Sequence, residues 1–133
     1  MLKAHEHVVV YRERGRFGGW PANNGVWSWG DEIVVGFTEG ALDREKHRGH
    51  PIKNDEQSGP RQARSLDGGK TWQVVRAPHR MPAEMPPIDC PGDITFTQRD
   101  FALKVLRDGV HAGAMSWFYL SYDRCTTWEG PYR

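Results

Sequence analysis

Two eight-residue segments of this chain share one pattern, and that pattern constrains the fold more than any other feature. Ser65-Leu66-Asp67-Gly68-Gly69-Lys70-Thr71-Trp72 returns 56 residues later as Ser121-Tyr122-Asp123-Arg124-Cys125-Thr126-Thr127-Trp128. Both fit S-x-D-x-x-x-T-W, and each position has a physical reason. An Asp carboxylate accepts backbone N–H groups of the turn that follows it, and the Ser and Thr hydroxyls tie the flanking strands. Glycine at the fifth position supplies a positive φ, and the Trp ring buries a large apolar area. The second copy has Cys125 where the first has Gly69, so its turn is expected to be strained or altered. A turn repeated at this period predicts a repeat architecture of short antiparallel strands.

The rest of the chain agrees with an all-β fold. Gly 15, Pro 9 and Trp 6 in 133 residues favour turns and strands over long helices. Expected strands are His7–Tyr11, Val26–Trp29, Glu32–Thr38, Gln62–Ser65, Trp72–Arg76, Phe101–Leu106 and Met115–Ser121, broken by turns at Gly30-Asp31, Asp67–Lys70 and Arg107–Gly109. Trp20-Pro21-Ala22-Asn23-Asn24-Gly25 reads as a further turn, and Arg12–Arg16 as a charged loop. Residues 39–60 lack apolar periodicity and form a polar insertion. Five prolines between 77 and 93 forbid helix and mark an extended linker. The expected organisation is one domain over 1–133, with a first unit at 7–77, a linker at 78–93 and a second unit at 94–133.

The two segments resemble the Asp-box (BNR) repeats of the sialidase-like β-propeller superfamily, and the resemblance covers about residues 7–132. Pro21-Ala22 ahead of Ile33–Phe37 is similar to the opening of the first blade in sialidases, and Ser116–Tyr119 with Trp128–Tyr132 also looks like this superfamily. The resemblance implies four-stranded antiparallel blades, about two per chain, with no cofactor. It makes Ser65, Asp67, Gly69, Thr71, Trp72, Ser121, Asp123, Thr127 and Trp128 structural residues of the boxes, remote from any sugar site.

The same resemblance implies a carbohydrate ligand, in the family a sialic acid-containing glycan, and an exo-α-sialidase type of hydrolysis where the site is complete. That chemistry takes an arginine cluster for the sugar carboxylate, an Asp acid/base and a Tyr activated by a Glu. The family's first arginine directly precedes Ile-Pro, whereas here Gly19-Trp20 precedes Pro21. Arg12, Arg14 and Arg16 are the nearby candidates for an anion site, and Asp43 and Asp55 in the polar insertion are the candidates for the acid/base. The remaining catalytic residues of the family come from later blades. Trp20, Trp27 and Trp29 are candidates for a sugar-stacking surface. A degenerate glycoside hydrolase is therefore one expectation, and a lectin-like or assembly module without catalysis is the alternative.

Composition excludes other classes. Lys+Arg 18 against Asp+Glu 17 leaves a net charge of +1, which gives no basic field for nucleic acid. No apolar run has the roughly 20 residues of a membrane helix, and Met1–His7 lacks the apolar stretch of a secretory signal. The pairs His5/His7 and His47/His50 come without a third ligand at diagnostic spacing, so no metal site is expected. Cys90 and Cys125 are expected as free thiols, with a single bridge as the alternative. A propeller needs about four blades or more to close. Two blades per chain therefore imply either part of a longer propeller or a homo-oligomer, three chains making a six-bladed ring, with Val8–Tyr11 completing a neighbour's blade.

Overall fold

The computed structural model describes residues 6–46, 48–109 and 111–133. The fold is all-β, with two open antiparallel sheets and one helical turn. In chain order the elements are β1 (Arg16–Gly19), α1 (Pro21–Asn24), β2 (Val26–Trp29), β3 (Glu32–Leu42), β4 (Ile52–Lys53), β5 (Gly59–Ser65), β6 (Gln73–Arg76), β7 (Ala102–Arg107), β8 (Ser116–Ser121) and β9 (Glu129–Tyr132).

The long strand β3 organises the first sheet. Along one edge it pairs β2 at Trp29↔Glu32 through Val26↔Val35, then β1 at Gly19↔Thr38 through Arg16↔Ala41. Along the other edge it pairs β5 from Ile33↔Ser65 to Glu39↔Gly59, then β4 at Ala41↔Lys53. With β6 beyond β5, the sheet is a meander four strands deep. The second sheet is the shorter meander β7-β8-β9.

Two sequence expectations change. Residues 8–11 form no strand, because both edges of β3 are already paired. The segment lies instead across the outer face of the first sheet: the Tyr11 ring sits 4.9 Å from Phe37, and Val9 and Val10 line a small hollow over Val35. The polar insertion is also narrower than residues 39–60. Strand β3 runs on to Leu42 and β5 starts at Gly59, because the buried Glu39 on that stretch is neutralised by arginines of β1 and β5. The proline-rich linker contains no helix or strand, and Ile88 makes one isolated bridge to Tyr132.

Each S-x-D-x-x-x-T-W segment closes a turn, one between β5 and β6 and the other between β8 and β9. In the first, Asp67 Oδ1 accepts the N–H groups of Lys70 (3.0 Å) and Thr71 (2.9 Å), and Asp67 Oδ2 accepts the Thr71 hydroxyl at 2.6 Å. In the second, Asp123 takes the N–H groups of Thr126 (3.0 Å) and Thr127 (2.8 Å) and the Thr127 hydroxyl at 2.6 Å. The Ser65 and Ser121 hydroxyls each accept the N–H of the fifth residue at 2.9 Å. Gly68 and Gly69 have φ of 72° and 92°, and Arg124 and Cys125 hold the corresponding left-handed conformation at 55° and 64°. The second turn is therefore the strained copy.

That strain is compensated where the turn meets the first sheet. Gln62 Nε2 donates to the Cys125 carbonyl and Arg64 to the Arg124 carbonyl, both at 2.8 Å. The Arg124 guanidinium bridges Glu32 of β3 (2.9 Å) and Asp100 (2.6 Å). Cys125 is fully buried beside Val34 and Ala102, ringed by Trp27, Trp29 and Trp128. The Trp27 and Trp128 rings lie 5.4 Å apart, and the Trp29 indole donates to the Arg99 carbonyl. Cys90 and Cys125 are both free thiols, and burial pushes the Cys125 thiol up to about 12.

The hydroxyl of Thr71, with the backbone N–H groups behind it, holds Asp67 well below the usual carboxylate range. Burial works against Asp123, yet Thr127 and its neighbours outweigh it and lower that group too. A depressed carboxylate contributes stability that is present above its unfolded pKa and lost as pH falls through its folded value. The double variant Asp67→Asn, Asp123→Asn is therefore expected to be less stable at pH 7 and to lose less of its remaining stability between pH 5 and pH 2, measured by urea titration at each pH.

Candidate functional site

The two sheets part at one end, and the gap there is a cleft of about 930 Å³. Its walls are α1 with Trp20, the β4–β5 loop at Asn54 and Asp55, the end of β7 at Val105–Arg107, and Trp117 on β8.

Local sequence explains the Trp20 wall. Pro21 presets the first helical φ of α1, and Trp20 caps it in the left-handed conformation, φ 58° and ψ 46°. That conformation is costly for a bulky residue. It is held by three donors on one carbonyl: the N–H groups of Asn23 and Asn24 at 3.2 Å and the Asn24 side-chain amide at 2.9 Å. The turn then rests on Gly36, where any Cβ would stand 2.6 Å from the Asn24 carbonyl oxygen. The half-buried Trp20 ring meets His50 edge-on at 4.6 Å and Phe17 at 5.7 Å.

An ionic cluster fixes the loop wall. Glu39, 2% exposed, accepts from both Arg16 and Arg61. Arg16 also grips Asp55 with both terminal nitrogens, at 2.5 and 3.2 Å. Ser58 donates its hydroxyl to Asp55 at 2.8 Å, and the Gln57 N–H adds a third donor at 3.1 Å. The Arg16 contact, and after it the Ser58 hydroxyl, holds the Asp55 carboxyl well below the usual range, while Asp55 and then Glu39 raise Arg16. Asp55 is therefore an ionised acceptor with no proton to give at neutral pH.

The sequence candidates separate accordingly. Arg16, Trp20 and Asp55 come together at or beside the cleft. The Arg16 guanidinium is committed to Glu39 and Asp55, so it offers no free edge to an anionic ligand. Arg12 and Arg14 are exposed and make no ion pair among the described residues. Asp43 lies away from the cleft walls and caps the Glu45 N–H at 3.1 Å. Trp27 and Trp29 pack between the sheets, in contact with the core. His7 and His50 are exposed, and His5 and His47 lie outside the described residues. Among the described residues no group of three or more His, Cys, Asp or Glu is placed to hold a metal ion.

Asn23, Asn54, Arg107 and Trp117 also line the cleft, beyond the candidates named from sequence. Asn23 has only turn chemistry in the sequence, and Trp117 is one of six tryptophans open to sugar stacking, with nothing local to single it out. Arg107, exposed at the end of β7, makes no ion pair among the described residues and supplies the cleft with an uncommitted cation. An aromatic ring, side-chain amides and a free guanidinium around one opening can stack on and hydrogen-bond a polyhydroxylated ligand. No family model, curated protein or solved structure matches this chain.

Because Arg16 is the common partner of Glu39 and Asp55, Asp55→Ala is expected to loosen the 43–58 segment while leaving the sheets intact. Limited proteolysis checks this: faster cleavage within that segment, with an unchanged far-ultraviolet circular dichroism spectrum.

Proposed function

We propose that this chain is a sialidase-like, Asp-box repeat protein whose inter-sheet cleft binds carbohydrate. The observation that carries this reading is the Trp20 ring, held in a strained left-handed conformation at the mouth of a cleft rimmed by Asn23, Asn54 and Arg107. Strain of this kind is retained where it positions a side chain for use. The two matching carboxylate-centred turns support the family reading, and the four-strand meander of the first sheet is what one propeller blade would require.

Binding is favoured over hydrolysis by a specific observation. Of the two acid/base candidates, Asp43 stands outside the cleft and Asp55 is locked as a carboxylate by Arg16. General acid catalysis needs a carboxyl in the cleft that keeps its proton near neutral pH, and Asp55, the candidate at the cleft wall, is held ionised. The chain is in this reading a degenerate relative of the glycoside hydrolases, with a lectin-like site.

Isothermal titration against a panel of neutral and sialylated oligosaccharides tests the proposal. Loss of a stacking ring costs about 1–2 kcal/mol, so Trp20→Ala is expected to weaken binding about tenfold or more. Trp27→Ala and Trp29→Ala are expected to lower stability first. Absence of any saccharide binding overturns the reading, and release of methylumbelliferone from its sialoside, lost in Asp55→Ala, would restore the hydrolase.

Leu103 on β7 is exposed on the sheet face turned away from the core, and Ile88 is exposed at the far edge of the same sheet. We propose that a further sheet covers this face, as in a propeller built from two-sheet chains. Light scattering on a size-exclusion column is expected to give the mass of three chains; a monodisperse single-chain mass overturns the homo-oligomeric ring.

A further inference from the structure

The interior of the second sheet holds a base pair that neither the core nor the cleft chemistry accounts for. Lys104 on β7 and His79 on the linker are 2% and 5% exposed, and Lys104 Nζ lies 3.5 Å from His79 Nδ1. No carboxylate forms an ion pair with either of them among the described residues. The ammonium lies 5.5 Å from the Trp128 ring centroid, and the imidazole packs against Tyr119 at 5.0 Å. His79 Nε2 has no hydrogen-bond partner among the described residues.

Among the described residues, the groups around the pair offer no compensating negative charge. Tyr119 on β8 donates its hydroxyl to the Arg80 carbonyl. The Cys125 thiol of the second box is kept protonated by its burial. The carboxylates that act on Tyr119 and Cys125 are engaged elsewhere, Glu84 by the Met81 N–H, Asp123 by its own turn and Glu32 by Arg64 and Arg124. Two residues beyond His79, Met81 forms part of the cleft wall.

We propose that the Lys104–His79 pair is an acid-sensitive latch: it holds the segment from Pro78 to Met81 against the second sheet at neutral pH, and protonation of His79 releases that segment and opens the wall of the cleft. The latch stands whether or not the cleft binds carbohydrate. A second positive charge 3.5 Å from Lys104, in an interior without a counter-ion, costs more than the buried contacts of a short linker return. Burial, with Lys104 repulsion added, pushes His79 down to about 3, and burial pushes Lys104 down to about 8.

The direction follows from linkage. His79 binds no proton in the closed form but titrates near 6.5 once released. The contribution of His79 to closure is therefore at full strength above pH 6.5 and weakens as pH falls, by up to tenfold per pH unit. Lys104 remains charged throughout this window.

Native-state hydrogen exchange on the full chain tests the latch. After correction for intrinsic exchange, the opening of the His79, Arg80 and Met81 amides is expected to rise about 50-fold between pH 6.5 and 4.5, with β3 and β5 amides unaffected. In His79→Gln the rise is expected to vanish, and in Lys104→Met it is expected to level off at a higher pH. Opening that is independent of pH in the unmodified chain overturns the proposal, as does an unchanged rise in His79→Gln. Should the variants fail to fold, the His79 ring resonances of the unmodified chain decide. A closed-state ring that stays neutral at pH 5 supports the latch, and one that titrates near 6.5 without segment opening overturns it.

Discussion

The two sheets share no backbone ladder among the described residues, so what joins them is side-chain packing centred on the docking of one turn, with the Trp29–Arg99 hydrogen bond beside it. The second box sets Arg124 and Cys125 in the left-handed region. Only in that conformation do the Arg124 and Cys125 carbonyls face Arg64 and Gln62 while the thiol enters the core beside Val34. Non-glycine residues there cost backbone energy, and the first box avoids the cost with Gly68 and Gly69. The second box accepts it because a glycine pair would lose the bridge from Arg124 to Glu32 and Asp100 and the buried Cys125 side chain. The repeat thus specialises: one copy closes a hairpin, the other closes a hairpin and fastens the sheets.

The same arrangement creates the cleft. With the sheets joined at the box end, their other ends diverge, and the space is bounded by α1, the β4–β5 loop and the tip of β7. Glu39 is the buried charge that keeps this end ordered, neutralised from both sides by Arg16 and Arg61. A buried carboxylate is tolerated only when so paired. Its pairing is why the polar stretch after Thr38 continues as strand, and why Arg16 and Asp55 serve as struts of the wall more readily than as ligand-binding groups. Ligand contact then falls to the Trp20 ring, which meets His50 and Phe17 at the cleft mouth, and to the Arg107 guanidinium, which makes no ion pair among the described residues.

Much of the sheet structure is legible in the sequence, because alternating β-branched and aromatic runs separated by Gly and Asp turns leave few other folds open. The hairpin of Val26–Trp29 with Glu32 onward, the two box hairpins and the helix-free linker all follow from local chemistry. Val8–Tyr11 has strand chemistry and forms none, since a strand needs a free edge and local sequence carries no information about which edges are occupied. Trp27, Trp29 and Trp20 are indistinguishable as residues. Only the register of β2 on β3 turns the first two toward the second sheet, while the α1 cap turns the third to the cleft.

The sequence by itself determined the two carboxylate-centred turns and the antiparallel hairpins around them, since each is satisfied within about eight residues. It likewise determined the absence of long helix, through the spacing of Pro and Gly. The tertiary structure alone decided which arginines remain free, which tryptophans face the cleft and that Lys104 meets His79. Those outcomes depend on contacts across 20 to 90 residues, where charge pairing and burial, not local propensity, choose the partner.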